Sequence, residues 1–164
     1  QGAQRLSLTL DLQAVQTADA AAAIAPWHGE WNFRARAETR LGNALLAQKN
    51  AEQARPVLQS ALARWRASGL FAAEARVSAN LGALGVSAGA LDEALLAFRE
   101  AAAAAGRAGD TLLQARQLTH MAKVLKRAGR TPDARRAASA AKTVSASIGW
   151  DEGVAQAEAL ASAP

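Results

Sequence analysis

An interval of forty residues organises this sequence. The stretch "ETRLGNALLAQ" at 38–48 returns as "SANLGALGVSA" at 78–88, so the Leu-Gly pair at 41–42 recurs at 81–82. Self-similarity at a fixed interval of roughly 20–50 residues is typical of proteins that stack copies of one supersecondary unit. The chain is therefore predicted to be built from such repeats.

Six columns of glycine, small or apolar residues keep the same register. They are Gly29, Gly69, Gly109 and Gly149; Gly89 and Gly129; Leu41, Leu81 and Met121; Gly42, Gly82 and Ala122; Ala54, Ala94 and Ala134; and Ala61, Ala101 and Ala141. Small residues let two helices approach closely, so we expect Gly42, Gly82 and Ala122 to pack against Ala54, Ala94 and Ala134. A further column, Leu58, Phe98 and Ala138, should fill wider gaps, least fully in the third repeat.

The segments between the glycines are predicted to be helices, because Ala, Leu, Arg, Gln and Glu dominate them and β-branched residues are sparse. From Gly69 onward a glycine stands every twenty residues where a helix would end, and "RTPDA" at 130–134 offers Thr131 as N-cap with Pro132 at the first helical position. The predicted helices pair as antiparallel hairpins. They cover 7–27, 30–48, 51–68, 70–88, 91–108, 110–128, 131–148 and 151–162.

The residues of these columns resemble the tetratricopeptide repeat (TPR) family. That family places Leu-Gly in the first helix of each repeat and Ala, a large apolar residue and Ala in the second, as "NLGALGVSAGALDEALLAFREA" does at 80–101. Its usual period is about 34 residues, so the forty-residue form here is similar to the longer repeats of bacterial MalT-like and SARP-like regulators and of kinesin light chains. The resemblance implies an all-α solenoid of αα-hairpins, a TPR-like right-handed superhelix.

The predicted organisation is a single TPR-like domain, 1–164. It contains a half repeat at 7–29, full repeats at 30–69, 70–109 and 110–149, and a terminal helix at 151–162. The chain begins in mid-repeat and without Met, which favours a segment of a longer protein.

Composition argues against several classes. There is no Cys and there are two His, with no nucleophile–base pair, metal-ligand spacing or phosphate loop, so we expect neither an enzyme nor a bound metal or cofactor. Asp92-Glu93 and Asp151-Glu152 open predicted helices, where negative charge is favourable. No apolar run approaches the ~20 residues that a membrane span needs. A cytoplasmic location is predicted.

The resemblance implies a concave surface, lined by first helices, that binds another protein. Arg36, Arg76 and Arg116 recur there at forty, and Arg pairs well with carboxylates, so an acidic or carboxylate-bearing peptide is the predicted partner. In the alternative, each Arg pairs with a carboxylate of the neighbouring repeat or lies on a solvated face. The predicted partner-binding residues are Arg36, Thr39, Asn43, Arg76, Asn80, Arg116, Thr119, His120, Lys123 and Lys126.

Four of these positions resemble the dicarboxylate clamp with which some TPR proteins hold chaperone C-termini. They are Asn43, Asn80, Arg116 and His120. The first clamp position, where the family has a basic residue, is Thr39 here. The clamp therefore stays an alternative to a structural role for both Asn residues.

Positive charge is concentrated in the third repeat. Residues 111–150 hold eight basic side chains against Asp133 alone, whereas the whole chain carries a net charge of +5. There are two rival hypotheses. In one, this basic repeat contacts nucleic acid; in the other, the chain is a structural dimerisation unit. Interleaved aromatic residues for base stacking are missing there. Trp65 is predicted to be core, and Trp27, Trp31 and Trp150 to seal inter-repeat turns, with an exposed binding spot as the alternative.

Overall fold

The computed structural model describes residues 9, 12, 13, 16 and 28–162. Over the described residues the chain is helical and contains no strand, which confirms the all-α prediction. Residues 9, 12, 13 and 16 are helical, and the rest of the predicted helix 7–27 lies outside the described residues. The later helices are α1 (His28–Ala47), α2 (Ala51–Ala67), α3 (Phe71–Ser87), α4 (Leu91–Arg107), α5 (Thr111–Arg127), α6 (Thr131–Ser147) and α7 (Asp151–Ser162).

The forty-residue interval is two steps of twenty. Helices α2 to α6 each have 17 residues, and three-residue turns separate them. In the turn after α4, Gly109 has φ 72°, its N–H donates to Gly106 O (3.1 Å), and the N–H of Asp110 donates to Ala105 O (2.9 Å). These two bonds satisfy carbonyls that the end of α4 leaves unpaired. Asp110 then caps α5, because its Oδ1 accepts the N–H of Leu113 at 3.0 Å.

The same turn recurs along the chain, so the predicted stops are confirmed. Gly69, Gly89, Gly129 and Gly149 also have positive φ, and the equivalent place before α2 is taken by Lys49 at φ 58°. Two details of the prediction are wrong. Gly29 lies inside α1 rather than after a helix, and the N-cap of α6 is Arg130, with no side-chain cap, whereas Thr131 is already helical. The turn at Gly129 fixes where α6 begins, and it overrides the capping preference of Thr131.

The glycines of the Leu-Gly pairs accept large side chains, not the alanines predicted. A Cβ added at Gly82 would lie 2.6 Å from the Phe98 ring, and one at Gly42 would collide with Leu58. Ala94 instead lies against Gly85, where an added Cβ would come within 3.1 Å of the Ala94 Cβ. In each of the first two repeats, a glycine, which has no side chain, therefore lies opposite a large apolar side chain.

The third repeat uses two small side chains at the equivalent positions. Ala122 and Ala138 are both 0% exposed and belong to one apolar cluster with Leu125 and Ala134. Ala opposite Ala replaces Gly opposite Phe, so the methyl group gained at one position offsets part of the volume lost at the other. Such volume compensation is what close packing demands.

Two compact units make up the structure, Gln1–Leu70 and Phe71–Pro164. In the first, α1 packs on α2. In the second, α4 contacts both α3 and α5, and α6 contacts both α5 and α7. Among the first helices of the hairpins, α5 also contacts both α3 and α7. No Cα atom of the second helix α4 lies within 8 Å of one in the second helix α6. This unit is therefore curved, with its first helices on the inner side.

A buried carboxylate joins the two helices of the first unit. Glu38 on α1 is 4% exposed, and its Oε1 accepts hydrogen bonds from Arg34 Nε (2.9 Å) and from Ser60 Oγ (3.0 Å). Arg64 Nε on α2 lies 3.2 Å from the other oxygen. Because a buried charge is tolerated only when it is paired and hydrogen-bonded, this cluster fixes α1 against α2.

Candidate functional site

The inner side of the second unit presents an exposed strip on each of α3 and α5. Successive members lie three or four residues apart, so they share one helix face. We call this surface the inner stripe. Its members are Ala72, Arg76, Asn80, Ala83 and Ser87 on α3, and Leu112, Arg116, His120, Lys123 and Arg127 on α5, all exposed except Asn80, which is half-buried.

The inner stripe is cationic. Arg76, Arg116, Lys123 and Arg127 belong to it, and none of its members is acidic. None of these four side chains forms an ion pair with any residue that the structure describes. The alternative in which the repeated Arg side chains are neutralised within the fold is therefore not observed for Arg76 and Arg116.

Arg116 rests on an aromatic ring. Its guanidinium carbon lies 5.6 Å from the centroid of the half-buried Trp150 ring, an arrangement that is attractive by cation–π interaction. Trp150 lies so close to Gly153 that a Cβ there would collide with the ring. Trp150 thus packs against the first turn of α7 while supporting Arg116. The contact of Trp150 with α7 was not predicted, although Gly153, a residue small enough to accept the ring, was a sequence signal for it.

His120 lies between Arg116 and Lys123 on α5 and stacks on Phe98 of α4, with ring centroids 5.2 Å apart and planes inclined by 18°. The residue stays exposed at the surface, while one face of its ring is taken by Phe98. Burial chiefly, then the charges of Lys123 and Arg116, lower the pKa of His120 from its ordinary value of 6.5. The charges of Lys123 and Arg116 make the smaller contribution to this lowering of the pKa.

Stability should therefore depend on pH through His120. Because its folded pKa is lowered, the unfolded chain takes up the proton first, so the free energy of unfolding falls as the pH drops through about 6.5. We expect that lowering the pH from 7.5 to 5.5 reduces the free energy of unfolding of the wild type more than that of His120→Gln, as measured by urea denaturation. His28 is common to both proteins and cancels. An identical difference at both pH values would contradict this account.

The remaining predicted residues of the second unit differ in accessibility. Thr119 is 3% exposed, and its hydroxyl donates to Ala115 O at 3.0 Å, so its assignment to a partner-binding surface is corrected. Asn80 is half-buried and already takes part in an interaction within the chain. Lys126 is exposed, but helical periodicity sets it to one side of the inner stripe.

Three predicted residues belong to the first unit. Arg36 and Asn43 are exposed, and Asn43 already has an interaction within the chain. Thr39 is engaged in its hairpin, because its hydroxyl accepts from Trp65 Nε1 (3.0 Å) and donates to Ala35 O (2.7 Å). The Thr39 hydroxyl therefore serves packing, and the core assignment of Trp65, 4% exposed, is confirmed. The residues that resemble the dicarboxylate clamp fall in both units, and the clamp stays a prediction.

The basic third repeat is partly neutralised. Asp133 is held by Arg130, whose nitrogen lies 2.8 Å from Oδ2, and by Arg136, and Lys142 pairs with Glu158 at 2.8 Å. Arg135 is exposed on α6 and has no ion pair among the described residues. The positive charge that is left free therefore lies mainly on α5, towards the inner side.

Comparison with known proteins identifies the architecture. The chain resembles the crystal structure of BtubC (BKLC) from P. vanneervenii with a TM-score of 0.69, over 94% of this chain and 63% of BtubC, at 15% sequence identity. The fold is a TPR-like helical repeat. The chain spans less than two thirds of the length of BtubC. No family model and no curated protein matches the sequence.

Helical-repeat solenoids present an extended concave surface. Among the described residues, no three His, Asp or Glu side chains come together as a metal site. None of the described helices has the length and apolar character required to cross a membrane. The inner stripe is thus the feature from which a function can be argued.

Proposed function

We propose that this chain is a non-catalytic binding module that holds an acidic segment of another protein on the inner stripe. One observation carries the proposal: Arg76 and Arg116 occupy equivalent positions on two contacting first helices and are exposed without an ion pair among the described residues. Two guanidiniums aligned in this way offer paired donors to carboxylates.

The charge of the surrounding surface supports an anionic partner. Lys123 and Arg127 continue the strip along α5, and the buried Glu74 does not oppose it because Arg107 already binds both its oxygens at 3.2 Å. A surface of one sign attracts a partner of the opposite sign from a distance and speeds association. A role as scaffold or sensor within a larger, cytoplasmic bacterial regulator is consistent with this activity and stays part of the proposal.

Binding of a fluorescent hexaglutamate peptide to the chain tests the proposal. We expect Arg76→Gln/Arg116→Gln to weaken binding by about tenfold or more, because each Arg–carboxylate contact contributes on the order of 1 kcal/mol. The matched control is Arg99→Gln/Arg135→Gln, which removes the same charge from the exposed outer helices α4 and α6 and should change affinity less than about twofold. Equal losses in the two double variants would contradict a site on the inner stripe.

Nucleic acid is the rival partner, favoured by Arg135 and the basic side chains of α5. Phosphate binding would show as a steep fall in the affinity of a single-stranded oligonucleotide with rising salt. If the oligonucleotide binds more tightly than hexaglutamate at physiological salt and Arg135→Gln weakens it, the nucleic-acid hypothesis replaces the proposal. Sedimentation at several protein concentrations tests the remaining hypothesis, dimerisation.

A further inference from the structure

We infer that His120 makes the inner stripe pH-sensitive, so that an acidic segment binds more tightly when this residue is protonated. The inference rests on the proposed function, because it concerns the regulation of the same surface. It follows from the place of His120 within the inner stripe and from the contact that holds its ring there.

His120 lies in the middle of the cationic part of α5. Arg116 is four residues before it and Lys123 three residues after it, and all three are exposed. Residues at these spacings are neighbours on a helix surface, with Cβ atoms about 5–6 Å apart. An acidic segment that contacts both cations therefore passes directly over His120.

The His120 ring is held by Phe98, which is 3% exposed. The two rings are stacked, with centroids 5.2 Å apart and planes inclined by 18°. Stacking covers one face of the imidazole but not the edge that carries its two nitrogens. Neither nitrogen has a hydrogen-bond partner among the described residues. The ring is thus fixed in place with its proton-binding edge available to a ligand.

The charged groups nearest to His120 along its own helix and on the neighbouring first helix are cations. On α5 they are Arg116 and Lys123, whose charges lower the pKa of His120 after burial, the largest cause. On α3 the inner stripe presents Arg76 and, at the position equivalent to His120, the neutral Asn80. No acidic side chain of the inner stripe compensates these charges.

The other helices packed on α5 add no charge that shifts the pKa of His120. The contact from α4 is the apolar Phe98 ring, which is flanked in sequence by Arg99 and Glu100. An apolar cluster joins α6 to α5. Three carboxylates of α6 and α7 already have partners: Asp133, Glu152 and Glu158. A carboxylate that interacts with His120 would therefore come from the ligand.

Binding of an acidic ligand should raise the pKa of His120. A carboxylate beside the ring favours the imidazolium and offsets the repulsion from Arg116 and Lys123. If the pKa is higher in the complex than in the free protein, binding takes up a proton. The affinity then rises as the pH falls through the pKa of the complex, and it levels off below the pKa of the free protein. Above both values His120 is neutral in both states and adds no pH dependence.

Binding of fluorescent hexaglutamate to the full chain at pH 7.5 and at pH 5.5 tests the inference. We expect the wild type to bind about three- to tenfold more tightly at pH 5.5, because each unit by which binding raises a pKa contributes at most a factor of ten. His120→Gln should lose most of this gain. Protonation of the peptide affects both proteins alike and cancels in the comparison.

His120→Phe is the second variant. It keeps an aromatic ring against Phe98 but does not titrate, so it should also lose the gain at pH 5.5. A loss in both variants separates the proton from the stacking contact. Circular dichroism at pH 5.5 checks that all three proteins are folded.

The pKa of His120 can also be followed directly, through the NMR shift of its Hε1 proton. Comparison with His120→Gln distinguishes this signal from that of His28. We expect saturating hexaglutamate to raise the pKa. An unchanged or lower value, or the same gain at pH 5.5 in the wild type and in both variants, would overturn the inference.

The outcomes for the two claims are distinguishable. If the pH profile does not depend on His120 but Arg76→Gln/Arg116→Gln still weakens binding at pH 7.5, the inference fails while the proposed function stands. If hexaglutamate binds at neither pH, both claims fail.

Discussion

Phe98→Ala is expected to lower the free energy of unfolding by about 3–5 kcal/mol, the usual cost of removing a buried aromatic ring. The ring is 3% exposed and lies in a cluster with Ala94 and Val124. It also stacks on His120 of α5 and occupies the space that Gly82 of α3 leaves open. A single side chain thus joins three helices of the second unit, so its loss leaves a cavity that no one helix can close.

Urea denaturation measures this loss, with Leu96→Ala as the control. Leu96 lies on the same helix but is 48% exposed, so its truncation should cost less than about 0.5 kcal/mol. If the two variants are equally stable, Phe98 does not hold the repeats together.

A double-mutant cycle tests the volume compensation directly. Gly82→Ala alone should cost about 1–3 kcal/mol, because its Cβ would meet the Phe98 ring. Gly82→Ala/Phe98→Ala recreates the Ala122 and Ala138 pair of the third repeat, so it should be more stable than the sum of the single changes implies. Strict additivity would contradict the pairing of these positions.

Glu38→Ala is the second large effect, with an expected loss of about 2–4 kcal/mol. The carboxylate is 4% exposed and accepts hydrogen bonds from Arg34, Ser60 and Arg64. Its removal takes one acceptor away from each of two guanidiniums and a hydroxyl. In the folded protein 27% of the Arg34 side chain and 17% of the Arg64 side chain are exposed. Hydrogen bonds to water therefore offset part of the lost stability.

The control for Glu38 is Glu52→Ala. Glu52 is an exposed residue in the first turn of α2, where a carboxylate contributes about 0.3–1 kcal/mol through the helix dipole. Thermal or urea denaturation compares the two. A cost for Glu38→Ala no larger than that for Glu52→Ala would mean that the cluster is not a stabilising contact between α1 and α2.

The fold was predictable because its signals are local. A glycine every twenty residues specifies where helices end, and composition specifies that the segments between are helical. Which residues meet was less predictable. A small residue at position 82 indicates a close approach, but it does not tell whether a neighbouring backbone or a large side chain such as Phe98 fills the space.

The exposure of the candidate residues was predicted in part. The spacing of Arg76 and Arg116 indicated one exposed face, which the second unit shows. Thr119 is buried, and its hydroxyl bonds to a carbonyl of the preceding turn, as threonine hydroxyls inside helices can do. The contacts of His120 with Phe98 and of Arg116 with Trp150 join residues 22 and 34 positions apart, and periodicity alone does not pair them.

The most direct test of the proposed site is to locate the ligand by NMR. Backbone amide shifts would be recorded while hexaglutamate is added to the full chain at physiological salt. We expect the largest changes to cluster at Arg76, Asn80, Arg116, His120 and Lys123 on the inner stripe. Changes confined to the outer helices α4 and α6, or the absence of saturable changes, would contradict a binding site there.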